Sequence, residues 1–355
     1  MASLLFQTLS NADIDWLRAV GKVHEYLPDQ PLIDAGHCFE QVHFGLNGQL
    51  SFTMPYQDHD NFQEFTQPGR DAFLGSVPGL ENFLSAMTVC AKTRCQVLTI
   101  DQHQLITKLA EDQDFAARFY QFHTNLLLRW AQTLLMQAKL NPTILYQINL
   151  KQASSLFAEL QDSHLDWLIA VGQRHQLTSG DMLQLAYRPI EFLHIVLDGS
   201  LSLNLPTGSE SDLIGVFLQQ EQCPPLCQEF ARIARGDVFG EMRFIQSGAG
   251  PLPMQIVQLE AVGETEVLAI PHWRMLTKLL HDAGFALGFY RVLAGLMASK
   301  FQTILAELGF LTQDATQMEN SDRLLTQMAR VETRFEWMVQ RIQTKVVTGR
   351  NLQWL

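Results

Sequence analysis

The residues best suited to chemistry in this chain are few and scattered. Cys223 and Cys227 bracket Pro-Pro-Leu, a spacing at which two thiolates can begin a zinc site. No second thiol pair and no histidine cluster at ligand spacing accompanies them, so the stretch reads as a proline-rich loop and no metal is expected. The eleven His are dispersed without an H-E-x-x-H pair. There is no G-x-S-x-G elbow, no phosphate-cradling P-loop and no G-x-G-x-x-G turn, and Gly248-Ala249-Gly250 is too short to serve as one. With no nucleophile and base at recognisable spacing, the expectation is a protein that is not an enzyme.

The elements that would have to position any site come next. The 355 residues are 47% hydrophobic and 17% charged, enough apolar material for two cores of ordinary size. Asp and Glu number 37 against 25 Lys and Arg, a net charge of −12 that repels phosphate backbones, so nucleic acid is not an expected partner. Five Cys, an odd number without a paired framework, indicate free thiols in a reducing compartment. The opening MASLLFQTLSNADIDWL has no basic region or small-residue cleavage site, and no stretch approaches about 18 uninterrupted apolar residues. These features place the chain in the cytoplasm without a transmembrane segment.

An internal repeat organises everything else. LFQTLSNADIDWLRAVGKVHEYL from Leu5 lies over LFAELQDSHLDWLIAVGQRHQLT from Leu156 at a constant offset of 151. The register continues through Glu40/Glu191, His43/His194 and Gly48/Gly199, then returns at an offset of 170, where Thr107-Lys108-Leu109 meets Thr277-Lys278-Leu279 and Phe119-Tyr120 meets Phe289-Tyr290. The second copy is longer by 170 − 151 = 19 residues. Two copies of this size read as one domain duplicated. The division is residues 1–142, a linker at 143–155, a second domain at 156–312 and a C-terminal segment at 313–355.

Each copy opens with polar residues before apolar positions at helical spacing (Ile14, Leu17; Leu165, Leu168), which predicts a capped helix. Apolar runs flank Asn47-Gly48 and Asp198-Gly199, pairs that tolerate positive φ and predict two-residue type I′ hairpins. Repeat-equivalent His43 and His194 beside these turns suggest a structural hydrogen bond. Each copy then turns helical. Phe115, Phe119, Phe122, Leu126, Leu127, Trp130 and Leu134 form one apolar face, and Phe285, Phe289, Val292, Leu296, Phe301, Ile304 and Leu308 form the other.

A helix, a β-roll with an N-G or D-G turn, a G-D-x-F-G-E element and a long terminal helix together resemble the cyclic-nucleotide-binding domain family. Gly236-Asp237-Val238-Phe239-Gly240-Glu241 is similar to the start of that family's phosphate cassette, and EVLAI at Glu266 to Ile270 to its closing strand. The likeness covers residues 5–139 and 156–310 and implies an α+β fold: two jelly-roll-type β-rolls, each followed by a long helix, with a further C-terminal helix. It also implies a ligand site in which helix N–H groups and an Arg receive a cyclic phosphate and a Glu accepts from the ribose 2′-OH.

Carried over residue by residue, that site is degenerate. In the first repeat Gly75 is followed by Ser76 where the Glu would stand, and Ser85 occupies the Arg position. In the second, Gly240 and Glu241 are present, but Gln255 stands at the Arg position and the cassette is five residues longer, 261 − 240 = 21 against 91 − 75 = 16. Arg243, two residues after Glu241, is a further candidate for a phosphate contact, the alternative being a solvent-facing side chain. A charge-assisted hydrogen bond contributes about 1.5–3 kcal/mol, so losing the Arg costs roughly ten-fold to several-hundred-fold in affinity.

The C-terminal segment carries Leu324, Met328, Val331, Phe335, Met338 and Ile342 at alternating spacings of four and three, a heptad seam. It either packs back on the second domain or pairs with a counterpart or another protein. It shows one long seam and no turn, unlike a helix-turn-helix. The expected function is therefore a non-enzymatic regulatory or adaptor protein with tandem degenerate cyclic-nucleotide-binding-like domains, working through a protein partner or self-association as a dimer, with no resident cofactor. The alternative is a cAMP- or cGMP-responsive regulator binding nucleotide mainly in the second domain; a DNA-binding regulator ranks below both.

Overall fold

The computed structural model describes residues 3–35, 40–55, 62–70, 72–75, 87–138, 159–186, 188–206, 227–245, 257–308 and 333–342. Two compact units divide the chain: Met1–Asn149 with Glu241–Gln255 and Leu276–Ser321, and Leu150–Gly240 with Ile256–Met275 and Asp322–Leu355.

The first repeat begins with α1 (Leu4–Thr8) and α2 (Asn11–Val20). Ser10 caps α2 reciprocally: its hydroxyl accepts from Asp13 N at 3.2 Å while the Asp13 carboxylate accepts from Ser10 N at 2.8 Å. Eight strands follow: β1 (Lys22–Tyr26), β2 (Pro31–Ile33), β3 (Gln41–Gly45), β4 (Gln49–Pro55), β5 (Phe62–Pro68), β6 (Phe73–Leu74), β7 (Thr88–Ala91) and β8 (Cys95–Asp101). They form two antiparallel four-stranded sheets, ordered β1-β8-β3-β6 and β2-β7-β4-β5. That order is a jelly roll, whose strands bury Val42, Phe44, Phe52, Val89, Val97 and Ile100. Helices α3 (Gln102–Glu111) and α4 (Gln113–Gln137) complete the repeat.

The second repeat has the same plan. It runs from α5 (Asp162–Val171) through β9 (Gln173–Leu177), β10 (Met182–Gln184), β11 (Phe192–Asp198), β12 (Ser200–Pro206), β13 (Cys227–Ala234), β14 (Val238–Phe239), β15 (Gln258–Ala261) and β16 (Thr265–Pro271) to α6 (His272–His281) and α7 (Ala283–Glu307). Its sheets are ordered β9-β16-β11-β14 and β10-β15-β12-β13, strand for strand the order of the first. Residues 207–226 join β12 to β13 where 56–61 join β4 to β5, so most of the insertion lies there and the rest lies between β14 and β15. A last helix, α8, spans 333–342. No helix among the described residues is long and apolar enough to cross a membrane. The fold is thus α+β with paired jelly-roll bodies, as the sequence implies.

The Asn-Gly and Asp-Gly turns are not hairpins. β3 pairs with β6 and β8 and β4 with β5 and β7, so Asn47-Gly48 carries the chain from one sheet to the other. Asp198-Gly199 does the same between β11 and β12. Gly48 and Gly199 have φ of 84° and 77°, whereas Asp29 is the one non-glycine residue with positive φ among the described residues, so neither turn is type I′. Asn47 instead fixes the corner with its amide, donating to Gln96 Oε1 and accepting from Gln96 N, both at 2.8 Å. Local sequence identifies the turn; which strands flank it depends on long-range pairing.

His43 and His194 divide in the same comparison. His43 Nδ1 lies 3.0 Å from Thr99 Oγ1 across the β3–β8 ladder, the structural bond expected. Ala269 faces His194 at the equivalent register, and His194 Nδ1 is buried without a hydrogen-bond partner.

Within the first unit, α4 and α7 pack against each other, which is why both are buried over far more than one stripe. Gln121 Nε2 donates to Tyr290 Oη at 3.0 Å, and the Arg291 guanidinium lies 5.3 Å from the centre of the Tyr120 ring. Tyr120/Tyr290 and Gln121/Arg291 are repeat equivalents, so the contact is reciprocal, as across a two-fold axis. Further along, Trp130 meets Phe301 at 6.1 Å, so the helices run parallel and in register.

Candidate functional site

The second repeat keeps the two residues that the resemblance assigns to a ligand, and the backbone explains the first. Gly240 follows β14 with φ of 98°, and a Cβ there would fall 2.5 Å from the Phe192 carbonyl oxygen. Only glycine fits that position without moving β11. The chain then enters a 3-10 turn, Glu241–Phe244, whose Met242 and Phe244 are buried, with the Phe244 ring edge-on to Phe289 of α7 at 5.2 Å. The turn therefore seats Glu241 against the long helix.

There the carboxylate meets a cation. Lys300 Nζ of α7 lies 3.8 Å from Glu241 Oε1, and the two residues are 2% and 6% exposed. Burial pushes the Lys300 ammonium below its ordinary pKa, and the Glu241 carboxylate works against that shift. The carboxylate to which the resemblance assigns a sugar hydroxyl thus lies beside a buried charge of its own chain. Lys300 escaped the sequence reading, although a signal exists: it sits four residues after Leu296 and four before Ile304, a charge at a core position of an apolar stripe.

Arg243 does not point freely to solvent. It is half-buried, and its Nε is enclosed without a hydrogen-bond partner. Gln255 lies outside the described residues, as do Ser76 and Ser85 of the first repeat; Gly75 follows β6, with a Cβ position 2.6 Å from Val42 Cγ1. Near Gly75, Phe73 packs on Phe119 and His123 of α4. His123 is fully buried with no partner at Nδ1, and burial lowers its pKa to about 3. Trp130 holds the place in α4 that Lys300 holds in α7, so the first repeat lacks both members of the Glu–Lys pair, with Ser76 and Trp130 in their stead.

The proposed interaction seam is placed in part. Leu324, Met328 and Val331 lie outside the described residues, while Phe335, Met338 and Ile342 of α8 are buried. Three ion pairs hold α8 in the second unit: Arg334 to Asp162 at 2.6 Å, Arg341 to Asp166 at 3.3 Å and Glu336 to Arg235, whose guanidinium also covers the Phe335 ring. The described part of the seam faces its own domain.

No protein-family model and no curated protein matches the chain. Solved structures do. cAMP-bound PfPKA-R (141–441) is 12% identical over 87% of this chain and 88% of its own, with a TM-score of 0.32. The regulatory subunit of a cAMP-independent protein kinase A from Trypanosoma cruzi, bound to guanosine, is 12% identical over 80% and 85%, with a TM-score of 0.28. A transcriptional regulator from Thermotoga maritima is 23% identical over 42% of this chain and 97% of its own, with a TM-score of 0.30. At such scores these are likenesses only, and the fold rests on its own strand order: two jelly rolls with the helix, cassette turn and long terminal helix that the sequence resemblance implies.

Proposed function

We propose that this chain is a non-enzymatic regulatory adaptor, built on two degenerate cyclic-nucleotide-binding-type rolls and working through contacts with another protein. The observation that carries the reading is the buried Glu241–Lys300 pair. A ligand that drew the Glu241 carboxylate away would leave Lys300 charged and unpaired in the interior, a cost of several kcal/mol that one hydroxyl hydrogen bond does not offset. In the first repeat the residues at both charged ligand positions are serines.

A second reading, a cAMP- or cGMP-responsive regulator using the second repeat, draws support from Gly240 and from the enclosed, unpartnered Nε of Arg243. Isothermal titration of the full chain with cAMP and with cGMP, up to millimolar ligand, separates them. The adaptor reading expects no saturable heat. Micromolar binding lost in Arg243→Ala and Glu241→Ala overturns it in favour of the nucleotide-responsive regulator.

A further inference from the structure

The duplication supplies an internal control for surface specialisation, and one helix departs from it. Helices α3 and α6 are repeat equivalents with the same inner face: Leu105 and Leu109 in one, Met275 and Leu279 in the other, all buried. Each also keeps a Lys that pairs with the Asp capping the next helix, Lys108 with Asp112 and Lys278 with Asp282. The outer faces differ. Where α3 has His103, Ile106 and Ala110, α6 has Trp273, Leu276 and Leu280, and these are 63%, 40% and 80% exposed. Their spacing of three and four puts them on one stripe of a single continuous helix.

The edge of the stripe has lost a carboxylate and gained a guanidinium as well. Gln104 and Glu111 of α3 correspond to Arg274 and His281 of α6. Arg274 lays its guanidinium over the Trp273 ring, 4.9 Å from its centre, and His281 Nδ1 is anchored on Thr277 O at 2.8 Å. On a chain of net charge −12, an apolar stripe with a basic border is a local reversal.

We propose that the outer face of α6 docks a helical segment of a partner protein whose apolar ridge is bordered by carboxylates. The inference rests on the adaptor reading and gives its partner a chemistry. Charge complementarity selects the occupant: a second copy docking through the same face would bring no carboxylate border to meet Arg274, and an anionic bilayer would face the repulsion of the whole chain. The apolar side chains supply area, Trp273 most of it, and the basic border selects the partner.

The test uses the full chain and a labelled 20-residue amphipathic helical peptide with Leu at i, i+3, i+4 and i+7 and Glu on both flanks, beside the same peptide with Lys for Glu. Fluorescence anisotropy should rise saturably with the acidic peptide and bind the lysine version at least ten-fold more weakly. Leu280→Glu should weaken the acidic peptide ten-fold or more, while Ala110→Glu, the matched change on α3, leaves it unaltered; melting curves confirm that both variants fold. Equal binding of the two peptides, or indifference to Leu280→Glu, overturns the proposal. So does cosedimentation with phosphatidylserine vesicles, or a dimer by sedimentation velocity, that Leu280→Glu abolishes, since either gives the face to a different occupant. Nucleotide titration of the same preparation keeps the two readings apart: nucleotide binding defeats the adaptor reading, whereas absence of both nucleotide and peptide binding defeats only this partner.

Discussion

Lys300 and Glu241 meet 3.8 Å apart in the interior, and their repeat-equivalent positions hold Trp130 and Ser76. A second pair behaves in the same way. Asp13 and Arg118 of the first repeat are joined by two hydrogen bonds of 2.6 and 3.1 Å, and the second repeat has His164 and Gly288 in their places. In both cases the two charges are present together or absent together. That is the expected consequence of burial: a lone charge in a low-dielectric interior costs more than the pair, and an uncharged pair costs neither.

A double-mutant cycle on the buried pair checks this. Lys300→Met leaves Glu241 without its cation and should destabilise the chain by about 3–5 kcal/mol. Adding Glu241→Gln should recover most of that loss, because the remaining groups carry no charge. Urea unfolding monitored by tryptophan fluorescence reads both. A double variant no more stable than Lys300→Met alone would show that the two side chains do not act on each other.

Acid should weaken the fold through buried histidines before most carboxylates titrate. Burial lowers His43 to about 4 and both His123 and His194 to about 3, with His24 adding to the shift of His43 and His175 to that of His194, against an ordinary 6.5. Each folded pKa lies below the unfolded one, so the unfolded chain binds more protons between them. Stability is complete above about pH 6.5 and falls as pH drops toward 4, by up to about 1.4 kcal/mol per pH unit for each histidine. His123→Leu, which copies Leu293 of the second repeat, should flatten that slope. An unchanged slope between pH 6.5 and 4 would place the lost proton uptake elsewhere.

The repeat, the capped α2 and the apolar faces of α4 and α7 were all legible in the sequence, because each is written in local spacing. The jelly-roll order was legible only through the family resemblance. Asn47-Gly48 misled for the same reason: its φ preference is local, but whether β3 and β4 share a sheet is decided by β7 and β8, about forty residues away. The site was half legible. Gly240 and Glu241 stand in a motif, whereas Lys300 joins them from a helix that begins 42 residues after Glu241, and nothing near Glu241 announces it.

The reciprocal helix pair gives the last prediction. Trp130 and Phe301 are both buried, one from each repeat, and their rings meet at 6.1 Å within the first unit. Trp130 also stands edge-on to Phe52 at 5.2 Å, so it ties the helix pair to the first roll. Phe301→Ala and Trp130→Ala should each cost about 3–5 kcal/mol, the range for emptying an aromatic site in a close-packed core. If the rings share one packed interface, the double variant should lose less than the two singles together, with a coupling of about 0.5–1.5 kcal/mol. Full additivity in chemical unfolding would mean that α4 and α7 do not stabilise each other at this point.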